Sequence, residues 1–230
     1  MRRTLGVLLL PLLVAPAAAQ GPIDFSKVQT TRDSFVVLVQ GTARGFEVTS
    51  VERSADGIRV HDETNLMPVM RQETTVRLTT RGELHTVKQS GQAQGKPMSI
   101  DVRYLNGRAT GTASTPSRTG EIENKVISAE VPAGAVDDNI VLPLLVGATW
   151  GPDTKFSLPV FASGQNKLHT VTLTVVASEQ VTVPLGTFDA YKVEMTGLST
   201  PVTLHVSAKA PHRVLKVAPV GAPLEFVAAK

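Results

Sequence analysis

The stretch Ile100-Asp101-Val102-Arg103-Tyr104-Leu105-Asn106-Gly107-Arg108-Ala109-Thr110-Gly111-Thr112-Ala113 decides the fold class. Side chains alternate in character on both sides of Asn106-Gly107, and a period of two puts one set on one face of an extended chain. Asn-Gly is the strongest short hairpin signal, because both central positions of a type I′ turn need positive φ. The spacing therefore predicts strands over 99–105 and 108–114 joined by a two-residue turn. The register follows from the turn: Ile100 faces Ala113, Val102 faces Gly111 and Tyr104 faces Ala109. Three large side chains opposite three small ones leave room on that face, as where a sheet curves around a filler or a ligand.

The same rhythm runs outward in both directions. Toward the C-terminus, His169-Thr170-Val171-Thr172-Leu173-Thr174-Val175 alternates strictly, and Val202, Leu204 and Val206 repeat the pattern, as do Tyr191, Val193 and Met195. Between them lie Pro184-Leu185-Gly186-Thr187, 197–201 and Lys209-Ala210-Pro211, each with the Gly or Pro that reversals favour. These residues predict an antiparallel meander closed by a strand at 224–227. Toward the N-terminus, Asp56-Gly57 and Arg81-Gly82 are turn candidates flanked by strands over 46–53, 58–63, 74–80 and 83–89. Stretches 91–97 and 113–120 read as loops. The expected fold is all-β, an antiparallel meander forming a curved half-barrel or barrel of about ten to twelve strands.

One segment departs from this rhythm. Asp137-Asp138-Asn139 is followed by the apolar run Ile140 to Val146, where Pro143 permits only a short or kinked helix. A short helix or irregular plug is expected near 138–147. Behind it Trp150, the only Trp, and Phe156 follow within a few residues. Leu142, Leu144, Leu145, Trp150 and Phe156 are the candidate ligand-binding residues, lining or covering the opening of an apolar cavity. Gly147 and Gly151 beside them suggest a segment able to move. The competing reading is a plug closing one end of the β-core, since buried aromatics are mostly core.

The first residues carry an export signal. Arg2-Arg3 form a positive n-region, 5–14 is an apolar run of ten residues, and Ala17-Ala18-Ala19 supplies a cleavage box. A helix needs about twenty apolar residues to cross a bilayer, so a removable signal peptide at 1–19 is expected, followed by a single β domain at 20–230. The expected location is periplasmic or secreted, and not integral to a membrane. The chain has no Cys, so neither a lipid-anchored mature N-terminus nor a disulfide is available. Without Arg2 and Arg3, 21 basic residues stand against 20 acidic ones. That balance, with no basic run, argues against a nucleic-acid partner.

Catalytic signatures are missing from the sequence. It has no G-x-S-x-G, no H-E-x-x-H, no phosphate-binding glycine loop and no dinucleotide fingerprint. His61 with Glu63, and His205 with His212, match no closed zinc spacing and read as polar strand residues. Glu121 and Glu123 on one strand face read as part of a charged edge strand. No catalytic residue, metal or cofactor is expected.

The ending Val183-Pro184-Leu185-Gly186-Thr187-Phe188-Asp189-Ala190-Tyr191-Lys192-Val193-Glu194, with 201–207 and Ala210-Pro211-His212-Arg213-Val214-Leu215-Lys216-Val217, resembles that of the exported proteins grouped as domain of unknown function 3108. The resemblance covers about the last ninety residues. It implies a periplasmic β-protein, similar to the half-barrels of lipoprotein carriers that shield acyl chains, and it brings no functional residues. Those carriers line their concave face with Met and aromatic side chains, whereas aromatics make up 4% of this chain. The functional expectation is a soluble, non-enzymatic periplasmic binding or carrier module for a lipid or other apolar ligand or a partner segment. A structural or interaction protein of the envelope with a filled core is the alternative, and a hydrolase with an unrecognised site comes third.

Cleavage after Ala19 places the mature N-terminus at Gln20 or Gly21. Intact mass of protein recovered from the periplasm is expected to lack 1–19, and a mass that retains them sinks the assignment.

Overall fold

The computed structural model describes residues 21–117 and 119–230. The signal peptide read at 1–19 lies outside them. A 3-10 turn, Phe25–Lys27, precedes eight strands: β1 (Thr31–Val39), β2 (Thr42–Ser54), β3 (Gly57–Leu66), β4 (Met70–Leu78), β5 (Leu84–Ala93), β6 (Lys96–Leu105), β7 (Arg108–Pro116) and β8 (Ile122–Glu130). The short β9 (Val136–Asp137) leads into a 3-10 turn (Asp138–Ile140), the single-turn helix α1 (Val141–Leu144) and another 3-10 turn (Leu145–Gly147). The chain ends with β10 (Lys155–Ala162), β11 (Lys167–Val183), β12 (Gly186–Thr196), β13 (Val202–Ser207), β14 (Val214–Pro219) and β15 (Leu224–Ala229).

All fifteen strands belong to one sheet, ordered β8-β7-β6-β5-β4-β3-β2-β1-β15-β14-β13-β12-β11-β10-β9. Two antiparallel meanders thus meet where β1 pairs with β15, with Phe35 opposite Ala228. The sheet curves but does not close, leaving β8 and β9 as its edges. Across the gap, the turn after β10 reaches the far meander: Thr115 Oγ1 donates to the Gly164 carbonyl at 3.3 Å, and the Ser128 N–H donates to Asn166 Oδ1 at 3.3 Å.

The hairpin forms as its turn chemistry requires. Asn106 and Gly107 have φ of 51° and 72°, and Ile100, Val102 and Tyr104 face Ala113, Gly111 and Ala109. The room above the small residues is taken up by the chain itself, with Tyr104 packing edge-on against buried Phe161 at 6.0 Å. The C-terminal meander also follows its pattern, burying Val171, Leu173, Val193, Leu204 and Val206. Pro143 confines α1 to four residues.

Fifteen strands exceed the expected ten to twelve. Stretch 91–97 is not a loop: β5 and β6 continue to a two-residue turn at Gln94-Gly95. Its Gly91 is a strand residue at close approach, since a Cβ there would lie 2.2 Å from the Arg71 carbonyl oxygen. Stretch 113–120 is likewise strand as far as Pro116. Glu123 does sit on an edge strand, because β8 ends the sheet, while Glu121 lies one residue before that strand.

Replacing Gly107 with Val is expected to lower stability by at least about 1 kcal/mol, since a β-branched residue resists positive φ. A thermal midpoint equal to that of the unmodified chain contradicts this role for the turn.

Candidate functional site

Residues 136–150 enter the concave side of the sheet and cover part of it. Entry begins at Asp137, a fully buried residue whose side chain caps the 3-10 turn by accepting from the Asn139 N–H at 3.1 Å. Its carboxyl also accepts from Tyr104 Oη on β6 at 2.8 Å and from Asn139 Nδ2 at 2.6 Å. Gln89 Nε2 on β5 donates to Thr74 Oγ1 on β4 at 3.0 Å and to Asn139 Oδ1 at 3.4 Å. Burial raises the Asp137 pKa while the bonds from Asn139 and Tyr104 oppose the rise. Burial and the adjacent Asp137 push the Tyr104 phenol upward, so it stays a donor.

Beyond this anchor the five candidate residues separate into two groups. Leu144 and Leu145 are each 1% exposed and belong to the core. Trp150 is buried as well, its Nε1 donating to the Leu145 carbonyl at 2.9 Å, and half-buried Phe156, whose ring meets it at 5.7 Å, packs against the same core. Leu142 is the one that lines a cavity, together with Pro143 and Val146 of the same segment. Gly147 is pinned rather than open, because a Cβ there would lie 2.7 Å from the Asp24 carbonyl oxygen.

That cavity, of about 160 Å³, lies between the segment and the sheet. Phe35, Val214 and Val217 extend its apolar wall, and Glu47, Asp62 and Asp138 put carboxyl groups into it beside Thr49, Thr64 and Thr74. Asp62 accepts from Thr49 Oγ1 at 2.8 Å and from Thr64 Oγ1 at 3.0 Å. Asp33, also on the wall, is paired with the Arg213 guanidinium. Burial, and then the Asp62 charge, raises the pKa of Glu47 to about 8. Asp62 is raised mainly by burial, and Asp138 is raised well above the usual carboxylate range by burial and by Asp137.

The carboxyl side of this cavity is absent from the sequence-based candidates. Its signal lies in strand parity: Glu47 and Thr49 share a face with buried Val51, and Asp62 and Thr64 share one with buried Val60. Polar residues at core parity mark either an error of register or a polar site. His205 and His212 do not combine, since His205 Nε2 lies 2.7 Å from Glu179 Oε1 and His212 Nδ1 2.9 Å from the Ser207 carbonyl oxygen. Among the described residues no group of three or more His, Asp or Glu is arranged to hold a metal ion.

The profile of the family described as protein of unknown function (DUF3108) matches residues 24–227. The chain belongs to this family. No curated protein matches. Among solved structures, a β-barrel-like protein of the domain of unknown function DUF1849 from Brucella abortus is similar at a TM-score of 0.55 and 9% identity, over 87% of this chain and 95% of that one. A Bacteroides fragilis protein with a YmcC-like fold aligns over 86% of this chain and 93% of its own, with 10% identity and a TM-score of 0.28. At such identities the first likeness concerns the fold alone. This DUF3108 chain has no described helix long and apolar enough to cross a membrane.

A carboxyl whose folded pKa lies above its unfolded value stabilises the fold at low pH and loses that contribution as pH rises between the two values. For Glu47 the window runs from about 4.5 to about 8, and Asp62 and Asp138 are shifted in the same direction. Stability is therefore expected to fall across that window. Glu47→Gln should flatten the fall and raise stability at the upper end by on the order of 2 kcal/mol. Denaturant titrations at several pH values check this, and equal slopes for both proteins contradict it.

Proposed function

We propose that this chain is an exported, non-enzymatic binding module, a single β domain over 20–230 whose cavity holds a small amphiphile. The two-sided cavity of about 160 Å³ carries the reading, with Leu142, Pro143 and Val146 on one wall and the Glu47, Asp62 and Asp138 carboxyls on the other. Export is supported by Arg2-Arg3, the apolar run and the Ala17-Ala18-Ala19 box.

The volume limits the ligand. Drug-sized molecules occupy pockets of roughly 300 to 1,000 Å³, whereas an apolar cavity of roughly 150 Å³ is enough for benzene. A ring or short branched chain suits the apolar wall. A long acyl chain needs the segment at 138–147 to lift. The carboxyl wall favours a head that donates hydrogen bonds or carries a positive charge a carboxyl can pair with, and it offers an anion no basic side chain. A second reading, a structural protein of the envelope with a filled core, is favoured by the burial of Leu144 and Leu145.

Benzylamine, benzyl alcohol and benzoate, titrated against the mature protein by calorimetry at neutral pH, test the proposal. Saturable binding is expected for the amine, weaker binding for the alcohol and none for benzoate. Leu142→Phe, which fills the apolar side, should weaken the amine at least about tenfold. Failure of the amine and the alcohol to bind, with no small molecule retained in native mass spectra of periplasmic material, leaves the filled-core reading in place.

A further inference from the structure

The strand β8 ends the sheet and presents one edge that no other strand covers. Its register with β7 puts Thr110 opposite Ser128 and Pro116 opposite Ile122. Pro116 has no N–H, and the Ser128 N–H is directed to Asn166 across the gap. Backbone groups alternate in direction along a strand, so those of Ile122, Asn124 and Val126 point away from β7. No described residue pairs with them, since β8 ends the sheet. At the end of this row stands Val126, 77% exposed, the most exposed large apolar side chain among the described residues.

We propose that two copies of the chain associate by antiparallel pairing of β8 with β8 about a two-fold axis at Asn124. This register joins only backbone groups that are free: Asn124 faces Asn124, and Ile122 faces Val126 of the other copy. On the outer face it covers each exposed Val126 with Ile122. On the opposite face it sets Glu123 of each copy against Lys125 of the other. Within one chain Glu123 and Lys125 already lie together, Oε2 to Nζ at 2.9 Å, so the dimer joins two ion pairs into a four-charge cluster. A register centred on Val126 fails on two counts: it needs the Ser128 N–H and it removes this pairing. In the chosen register Gly120 faces Ser128, and the chain turns away there, since the Gly120 N–H donates back to the Ser117 carbonyl. The contact is small, which puts the dimer among weak, concentration-dependent interfaces.

Lys and Glu on an edge strand ordinarily discourage pairing, so the charges supply the decisive test. Analytical ultracentrifugation of the mature chain over a concentration series should show a reversible monomer–dimer equilibrium. Glu123→Lys and Lys125→Glu each set like charges against each other and should each weaken self-association about tenfold or more. In an equimolar mixture of the two variants every facing pair again joins opposite charges, and a mixed dimer should recover most of the lost affinity. Asn124→Pro removes an outward N–H at an edge, where Pro is tolerated, and should abolish the dimer while leaving the thermal midpoint of the monomer little changed. A chain that stays monomeric throughout the series overturns the proposal. So does a dimer that survives Asn124→Pro, or a variant mixture that fails to recover.

Discussion

Asp137 is withdrawn from water completely, and a carboxyl in that position is tolerable only if its oxygens find donors on the spot. It finds three: the Tyr104 hydroxyl on β6, and the backbone and side-chain N–H groups of Asn139. Those bonds fix where the chain leaves the sheet and turns inward. Everything downstream inherits that position, because Ile140, Leu144 and Leu145 can reach the core only if the turn at 138–140 starts where Asp137 holds it. The network continues through Asn139 to Gln89 and Ser163, so the inserted segment is tied to both meanders rather than resting on one. A curved sheet without a second sheet over it has an uncovered concave face, and this segment provides the cover.

The cavity reflects two demands that pull against each other. The inserted segment strips water from the inner face, and the inner face at that level carries Glu47 and Asp62. Burial favours the neutral acid, and so does a second carboxyl close by, and together they raise the Glu47 pKa from 4.5 to about 8. The hydroxyls of Thr49 and Thr64 donate to Asp62 and oppose the rise there. A wall of this kind hydrogen-bonds readily, and burial works against charge on it. It suits a polar head that also carries an apolar body, because Leu142 and Val146 stand opposite.

The parts of the fold governed by local chemistry were legible in the sequence. Asn106-Gly107 dictates its own turn and with it the register of two strands, and the Val and Leu alternation of β11 and β13 reports one buried face directly. Other strands extend beyond their visible alternation, since Gln72 and Thr74 on β4 and Gln89 on β5 stand at inward positions where alternation calls for apolar residues. The inserted segment was visible by composition, but the placement of its residues was not. Leu142 and Leu144 differ by half a turn of a one-turn helix, enough to send one to a cavity and the other to the core. Such a difference depends on the direction in which Asp137 launches the turn, a tertiary matter. The acidic wall was hidden for a related reason: Glu47 and Asp62 come from different strands and meet only through the β2–β3 pairing, in which Asp62 lies opposite Thr49 and Thr64 opposite Glu47.

The same insertion explains why the sheet stays open. Closure would require β8 to pair with the free edge of β10. Instead the chain runs from the end of β8 through 131–135 and places Val136 and Asp137 parallel to Val160 and Phe161, the single parallel pairing in the sheet. Those two residues occupy the edge of β10 at that level, and the next ones turn inward. The residues that anchor the cover are therefore the residues that deny β8 its closing partner. Among the described residues, side-chain bridges such as those from Thr115 and to Asn166 span the remaining gap, and they leave the outer edge of the first half of β8 unpaired. Covering the concave face from within and leaving one strand edge open are consequences of a single change in chain direction at Asp137.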